Sequence, residues 1–164
     1  MLYNPGEANM TFQEEHYEWV NRKYPNQPPE IPAAGCVEEA GELLHAVLKT
    51  AQVQRWGEDS RYSIVQLRSN LVDAIGDCVI YACSLCNANS WVFAELWKTP
   101  KVGESSTLVV EAVELVATSV EVALHPRKKV SLARYISSLK SVAFTAGIDP
   151  DMAIKVTWQI VKER

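Results

Sequence analysis

The chain predicts an all-α fold, a helical bundle of five to six helices. Three observations carry that prediction. Apolar residues recur at helical spacing along several long segments, while few segments alternate with period two. Pro25, Pro126 and Gly147 fall at the ends of those periodic stretches, where helices stop. The most β-branched stretch, 107–124, spaces Glu111, Glu114 and Glu121 at helical intervals and is too long for an ordinary strand.

The elements follow in order. Residues 11–23 open with Thr11 as N-cap and Glu14 three residues on, a capping-box pattern, and Pro25 ends the helix. Residues 25–32 hold four prolines and read as an extended connector. A second helix covers 34–54, followed by a polar turn at 57–60. A long third helix covers 64–86, with a short continuation over 90–97. Residues 99–106 are a loop with Pro100 and Gly103. A fourth long helix covers 107–124 and stops at His125-Pro126; a fifth covers 131–146 and stops at Gly147. Asp149-Pro150 gives an N-cap followed by proline at the first helical position, which opens a last helix, 150–164. The 164 residues read as one domain: an acidic half, about 11–97, a middle section, about 107–146, and the terminal helix.

Composition narrows the function. An apolar content of 48% allows a sizeable core. A net charge of −4 gives no basic footprint for nucleic acid or an anionic membrane, so neither is an expected partner. The dense basic run Arg127-Lys128-Lys129 reads as a solvated loop. Residues 1–10 have no basic start and no apolar run, and 71–94 is interrupted by Asp73, Gly76 and Asp77. A cytoplasmic protein without a membrane span is expected. Cys83 and Cys86 match C-x-x-C but lack a second ligand pair or a βαβ context, so with Cys36 and Cys78 they read as core packing.

The chemistry sits on the second and third helices. Glu38, Glu39, Glu42, His45, Lys49 and Gln52 share one helical face; Val37, Ala40, Leu43, Leu44, Val47, Leu48 and Ala51 share the other. Alone, that is an amphipathic helix with a solvated acidic face. The third helix changes the balance. From 71 to 94 its only charges are Asp73 and Asp77, four apart and therefore on one face. A helix with so few solubilising residues is buried nearly all round, and buried carboxylates need something positive beside them. Setting Asp73 and Asp77 against Glu39 and Glu42 surrounds a hard divalent cation with oxygen, the ligand type Mg²⁺ prefers.

Residues 35–49 (GCVEEAGELLHAVLK), 71–81 (LVDAIGDCVIY) and 147–164 (GIDPDMAIKVTWQIVKER) resemble the MazG-like all-α nucleotide pyrophosphohydrolases, particularly phage-type members. The resemblance covers about half the chain directly. It implies Mg²⁺, or Mn²⁺ as substitute, on Glu39, Glu42 and Asp77, with Glu38 as a further ligand or as base for the attacking water. It implies a nucleoside triphosphate substrate, with a monophosphate and pyrophosphate as products. The family's second motif is usually E-x-x-D; here Ala74 stands three before Asp77 and the acid is Asp73, four before, in reach as a substitute ligand. Lys49, on the Glu42 face, and Arg164 are candidates to contact substrate phosphates, with Lys155 a weaker one.

Two other functions use the same residues. One is a catalytically silent helical interaction module. The other is a di-iron carboxylate protein, suggested by Glu42-x-x-His45, although such bundles carry that motif twice and no second copy is present. Trp19 and Trp56 are the tryptophans singled out for base stacking. Residues 110–124 echo the second helix, with Glu111 and Glu114 at the spacing of Glu39 and Glu42. Residues 131–148 echo the third, with Arg134 and Ser138 at the acidic positions. On that reading the middle section is a degenerate repeat. The chain is then an intramolecular pseudo-dimer, where relatives form a homo-oligomeric dimer.

Overall fold

A computed structural model describes residues 10–57, 63–100 and 107–163. Among these are seven helices and no strand: α1 (Phe12–Lys23), α2 (Glu30–Trp56), α3 (Ile64–Ala88), α4 (Phe93–Trp97), α5 (Leu108–Leu124), α6 (Lys129–Thr145) and α7 (Pro150–Lys162). The all-helical expectation holds, with one or two helices more than expected. The additions come from α4, which is separate from α3 because Ser90 takes a positive φ of 57° between them.

Local chemistry sets most boundaries. The Thr11 hydroxyl accepts from the Glu14 amide and the Glu14 carboxylate accepts from the Thr11 amide at 2.7 Å, so both ends of the capping box are made. Asp149 accepts from the Asp151 amide with Pro150 in the first turn, as the sequence implied. The proline-rich connector is a correction. α2 begins at Glu30 and takes Pro32 into its first turn, where an amide N–H has no intrahelical acceptor to lose. Residues 58–62 and 101–106 lie outside the described residues, so the turn beyond Gly57 and the loop around Gly103 do too.

α3 is the axis of the bundle. It packs along α2 on one side and α7 on another, and touches α1, α4 and α6. α5 packs against α2 and α6. One apolar cluster joins Leu43 and Val47, Ile75 and Val79, Leu115, Leu139 and Ile154. By length and composition α3 could also cross a membrane, a resemblance the sequence reading discounted; most of its apolar window is buried within the bundle. All four cysteines are free and buried. Leu48, placed on the core face by periodicity, is 41% exposed.

The contact of α3 with α7 depends on Gly76. A Cβ there would fall on the Thr157 side chain and 3.0 Å from the Ala153 carbonyl oxygen. The small-residue pair Ala153 and Thr157 is thus a seat for α3, and Trp158 closes it by donating from Nε1 to Glu15 at 2.9 Å. Gly76→Ala is expected to destabilise the protein by about 1–3 kcal/mol, the usual cost of overpacking, despite alanine's better helix propensity. Urea unfolding of Gly76→Ala, and of Gly76→Ala with Thr157→Ala, checks this. Partial recovery in the double variant is expected; an unchanged midpoint for the single variant would show that the seat has slack.

Candidate functional site

α2 and α3 run antiparallel and close together, because the Tyr81 ring occupies the space a side chain at Gly35 would fill. Between them lies a cleft of about 360 Å³ lined by Glu42, His45, Lys49, Asn70, Asp73 and Asp77, with Leu67, Ala46 and Ala74 as its apolar floor. Periodicity had placed Glu42, His45 and Lys49 on one face of α2, and Asp73 with Asp77 on one face of α3. The fold turns those two faces toward each other.

Glu39 stands half-buried at the inner end of this group. Its carboxyl is pushed up to about 7, first by loss of water and then by the charges of Asp77, Glu42, Glu38 and Asp73. Those four carboxylates are therefore its electrostatic neighbours, although Glu39 itself does not line the cleft. Glu38 is exposed, one residue before it. Among the described residues, no three His, Cys, Asp or Glu side chains converge as a ready ligand cluster. The donor chemistry suits a hard divalent cation: Glu42, Asp73 and Asp77 supply carboxylate oxygens, His45 adds a ring nitrogen, and no cysteine lines the cleft. Ala74 and Asp73 both line the cleft, so the four-residue spacing of the aspartates still puts Asp73 on the Asp77 side.

Lys49 lines the far end of the cleft and donates to Gln52 at 3.3 Å. Arg164 lies outside the described residues. Lys155 is elsewhere: it borders a second cavity, about 950 Å³, between α1, the α3–α4 corner and α7. Phe12, Trp91, Phe93 and Trp97 line that cavity. Neither Trp19 nor Trp56 does: Trp19 packs edge-on against Trp158, and Trp56 is 73% exposed. Asn70, which lines the cleft, and Tyr81, which lies near Glu39, escaped the sequence reading. Asn70 lies one turn before Asp73 and was readable from that spacing. Tyr81 had no local signal; burial, Glu39 and Glu38 raise its hydroxyl above the ordinary value, so it stays a donor at neutral pH.

Behind the cleft, His16 is buried at the α1–α3 contact with a pKa lowered to about 4 by burial. Asn87 donates to its Nδ1 at 3.1 Å, so the neutral ring turns Nε2–H to the Ser84 hydroxyl, also 3.1 Å away. His16 is a satisfied core histidine. Comparison of the chain with protein-family models, with curated proteins and with solved structures gave no match in any of the three.

The raised Glu39 makes a stability prediction. A carboxyl whose pKa is about 7 in the fold, against an ordinary 4.5, favours folding when protonated, and that contribution is lost as pH rises through 7. His16 runs the other way: its depressed pKa costs stability as pH falls below 6.5. Wild type and Glu39→Gln, unfolded side by side, separate the two. Without divalent cation, the advantage of Glu39→Gln should grow as pH rises from 4.5 past 7, the two ends of the Glu39 shift. An advantage independent of pH would mean that Glu39 is not held among the other acids.

Proposed function

We propose that the chain hydrolyses a nucleoside triphosphate at the α–β phosphoanhydride in a Mg²⁺-dependent reaction, releasing a monophosphate and pyrophosphate. The observation that carries this reading is the facing of Glu42 on α2 with Asp73 and Asp77 on α3 across one cleft that also holds Lys49, with Glu39 in the field of the same acids. The motif resemblance of α2, α3 and α7 to the MazG-like enzymes points the same way. Glu42, Asp73 and Asp77 would hold the cation from the cleft walls, with Glu39 turning in beside them. Such a cation, when bound, offsets the acidic repulsion and polarises phosphate oxygens.

The chain's own groups then have distinct tasks. Glu38, exposed at the rim, accepts the proton of the attacking water. Water forms the new P–O bond as the α–β bridge breaks and pyrophosphate leaves. Lys49 places a positive charge at the opposite end of the cleft, where the outer phosphates of a bound chain would lie. The Tyr81 hydroxyl, held protonated, lies in the field of Glu39 and Glu38.

We infer also that the α5–α6 hairpin is a worn copy of α2–α3. Ala112, Leu115 and Ser119 are wholly buried at the spacing of Ala40, Leu43 and Val47. α5 lies against α2 as a second α2 helix would in a dimer, and α6 touches α3. The copy has no cation site: Arg134 stands in the place of Asp73 and pairs with Glu121 at 3.2 Å, and Ser138, in the place of Asp77, is buried.

Pyrophosphate release from a panel of nucleotides, with Mg²⁺, Mn²⁺ or EDTA, tests the activity. Orthophosphate as product, or turnover indifferent to EDTA, would remove the proposal. Glu42→Gln and Asp77→Asn should each lower kcat about a hundredfold or more, since the charge stabilisation at stake is worth several kcal/mol. Both should raise the melting temperature of the metal-free protein by relieving repulsion. Asp73→Asn reports whether that residue replaces the acid missing at Ala74. Mg²⁺ should raise the wild-type melting temperature by several degrees; a silent interaction module would not respond, and a di-iron protein would carry iron when purified.

A further inference from the structure

α5 is apolar on its outer face as well as its inner one. Ala112, Leu115, Ser119 and Val122 are buried toward the bundle. On the opposite side Val110, Val113, Ala117, Val120 and Leu124 are all exposed, Leu124 by 70%. α5 has no lysine or arginine; its charges are Glu111, Glu114 and Glu121. A helix apolar on both faces is ordinarily covered on both. The exposed residues are separated by steps of three and four, the spacing of a seam that receives another helix.

We propose that this face joins two copies of the chain, with the two α5 helices packed antiparallel about a two-fold axis beside Ala117. Ala117, the smallest of the five, sits at the centre and permits close approach. The axis lays Val113 over Val120 of the second copy and Val110 over its Leu124. The edges decide both orientation and partner. One edge carries Val116 and Ala123, half-buried, which extend the apolar seam when they meet their own counterparts. The other carries Glu114 and Glu121. Antiparallel pairing brings Glu114 of one copy to Glu121 of the other, and Glu121 is already held by Arg134, whose side chain is 63% exposed. Arg134 thus stands ready to take a second carboxylate across the axis. Parallel pairing would set Glu114 against Val116 and leave it without a cation. The chain therefore supplies its own complement along this face, as a two-fold contact requires. α2 separates this face from the α3 wall of the acidic cleft, so the contact is independent of the proposed chemistry.

A helix of 17 residues is about 25 Å long, so the contact is small and the association roughly micromolar. Sedimentation velocity on the full chain, from about 1 to about 200 µM to bracket that affinity, should show the mass rising from 18.3 kDa toward twice that value. Val113→Lys should stay at the single-chain mass throughout, with unchanged helical circular dichroism and melting temperature. Ala117→Cys adds an exposed thiol to a protein whose own cysteines are buried, and should form an intermolecular disulfide under mild oxidation. Leu124→Cys should not, because the axis holds the two copies of that position about 20 Å apart. A wild-type chain that is monomeric at every concentration overturns the proposal, whether the face is then bare or meant for another protein. So does a dimer that survives Val113→Lys, or equal crosslinking at 117 and 124.

Discussion

The fold depends on covering α3 from Leu71 to Cys86 while leaving two carboxylates there, Asp73 exposed and Asp77 half-buried. Between Leu71 and Cys86 it presents buried side chains in nearly every direction, and Asp73 and Asp77 are its only charges. Gly76 and Asp77 are neighbours in sequence but about 100° apart around the helix. The glycine admits α7 at the Thr157 seat; the aspartate faces α2. Burial of one side and acidity of the other are therefore fixed by adjacent residues. A shift of α3 by one position would put Asp77 into the α7 seat and the uncharged Cys78 against Glu42.

That constraint explains the state of the titratable groups. Glu39 is driven toward neutrality because α3 excludes water on one side while four carboxylates crowd the other. The thiols of Cys36, Cys78, Cys83 and Cys86 are all raised by burial, which keeps them protonated and makes the C-x-x-C spacing a packing pattern. The Tyr135 hydroxyl, wholly buried on α6, lies against Cys36 and Cys78 behind the acidic group, and its pKa too is driven up. Around the carboxylates the protein has placed groups that stay neutral. Of the cations proposed for substrate, the described residues put only Lys49 at the cleft.

The sequence was informative where one element answers for itself. Thr11 with Glu14, and Asp149 with Pro150, name helix starts because capping is local. The missing charges of 71–94 gave the burial of α3, and four-residue spacing put Asp73 beside Asp77. Legibility ended where two segments must meet. Nothing near Gly35 says that Tyr81 will lie over it. The aromatic cavity gathers residues from α1, the α3–α4 corner and α7, segments some 60 to 140 residues apart in the chain, so no periodicity reveals it. Pro32 misled for a related reason: proline forbids a helix interior but suits a first turn, and which of the two applies depends on where the helix starts.

The two cavities differ in how their polar groups are arranged, and the proposed chemistry belongs to the smaller one. In the larger, the polar groups already serve one another. Gln13 donates to Asn87 and to the Trp91 carbonyl and accepts from the Phe93 amide; Asp151 accepts from the Trp97 indole. Those bonds tie α1, α4 and α7 to the end of α3 and engage Gln13, Asn87 and Asp151. The smaller cleft instead gathers three carboxylates, Glu42, Asp73 and Asp77, with Lys49. The Glu39 carboxyl is pushed up to about 7, first by burial and then by the neighbouring carboxylates. A structural network relaxes such a field with a basic side chain, as Arg134 does for Glu121 in the α5–α6 hairpin. On the α2–α3 side the basic residue at the cleft is Lys49.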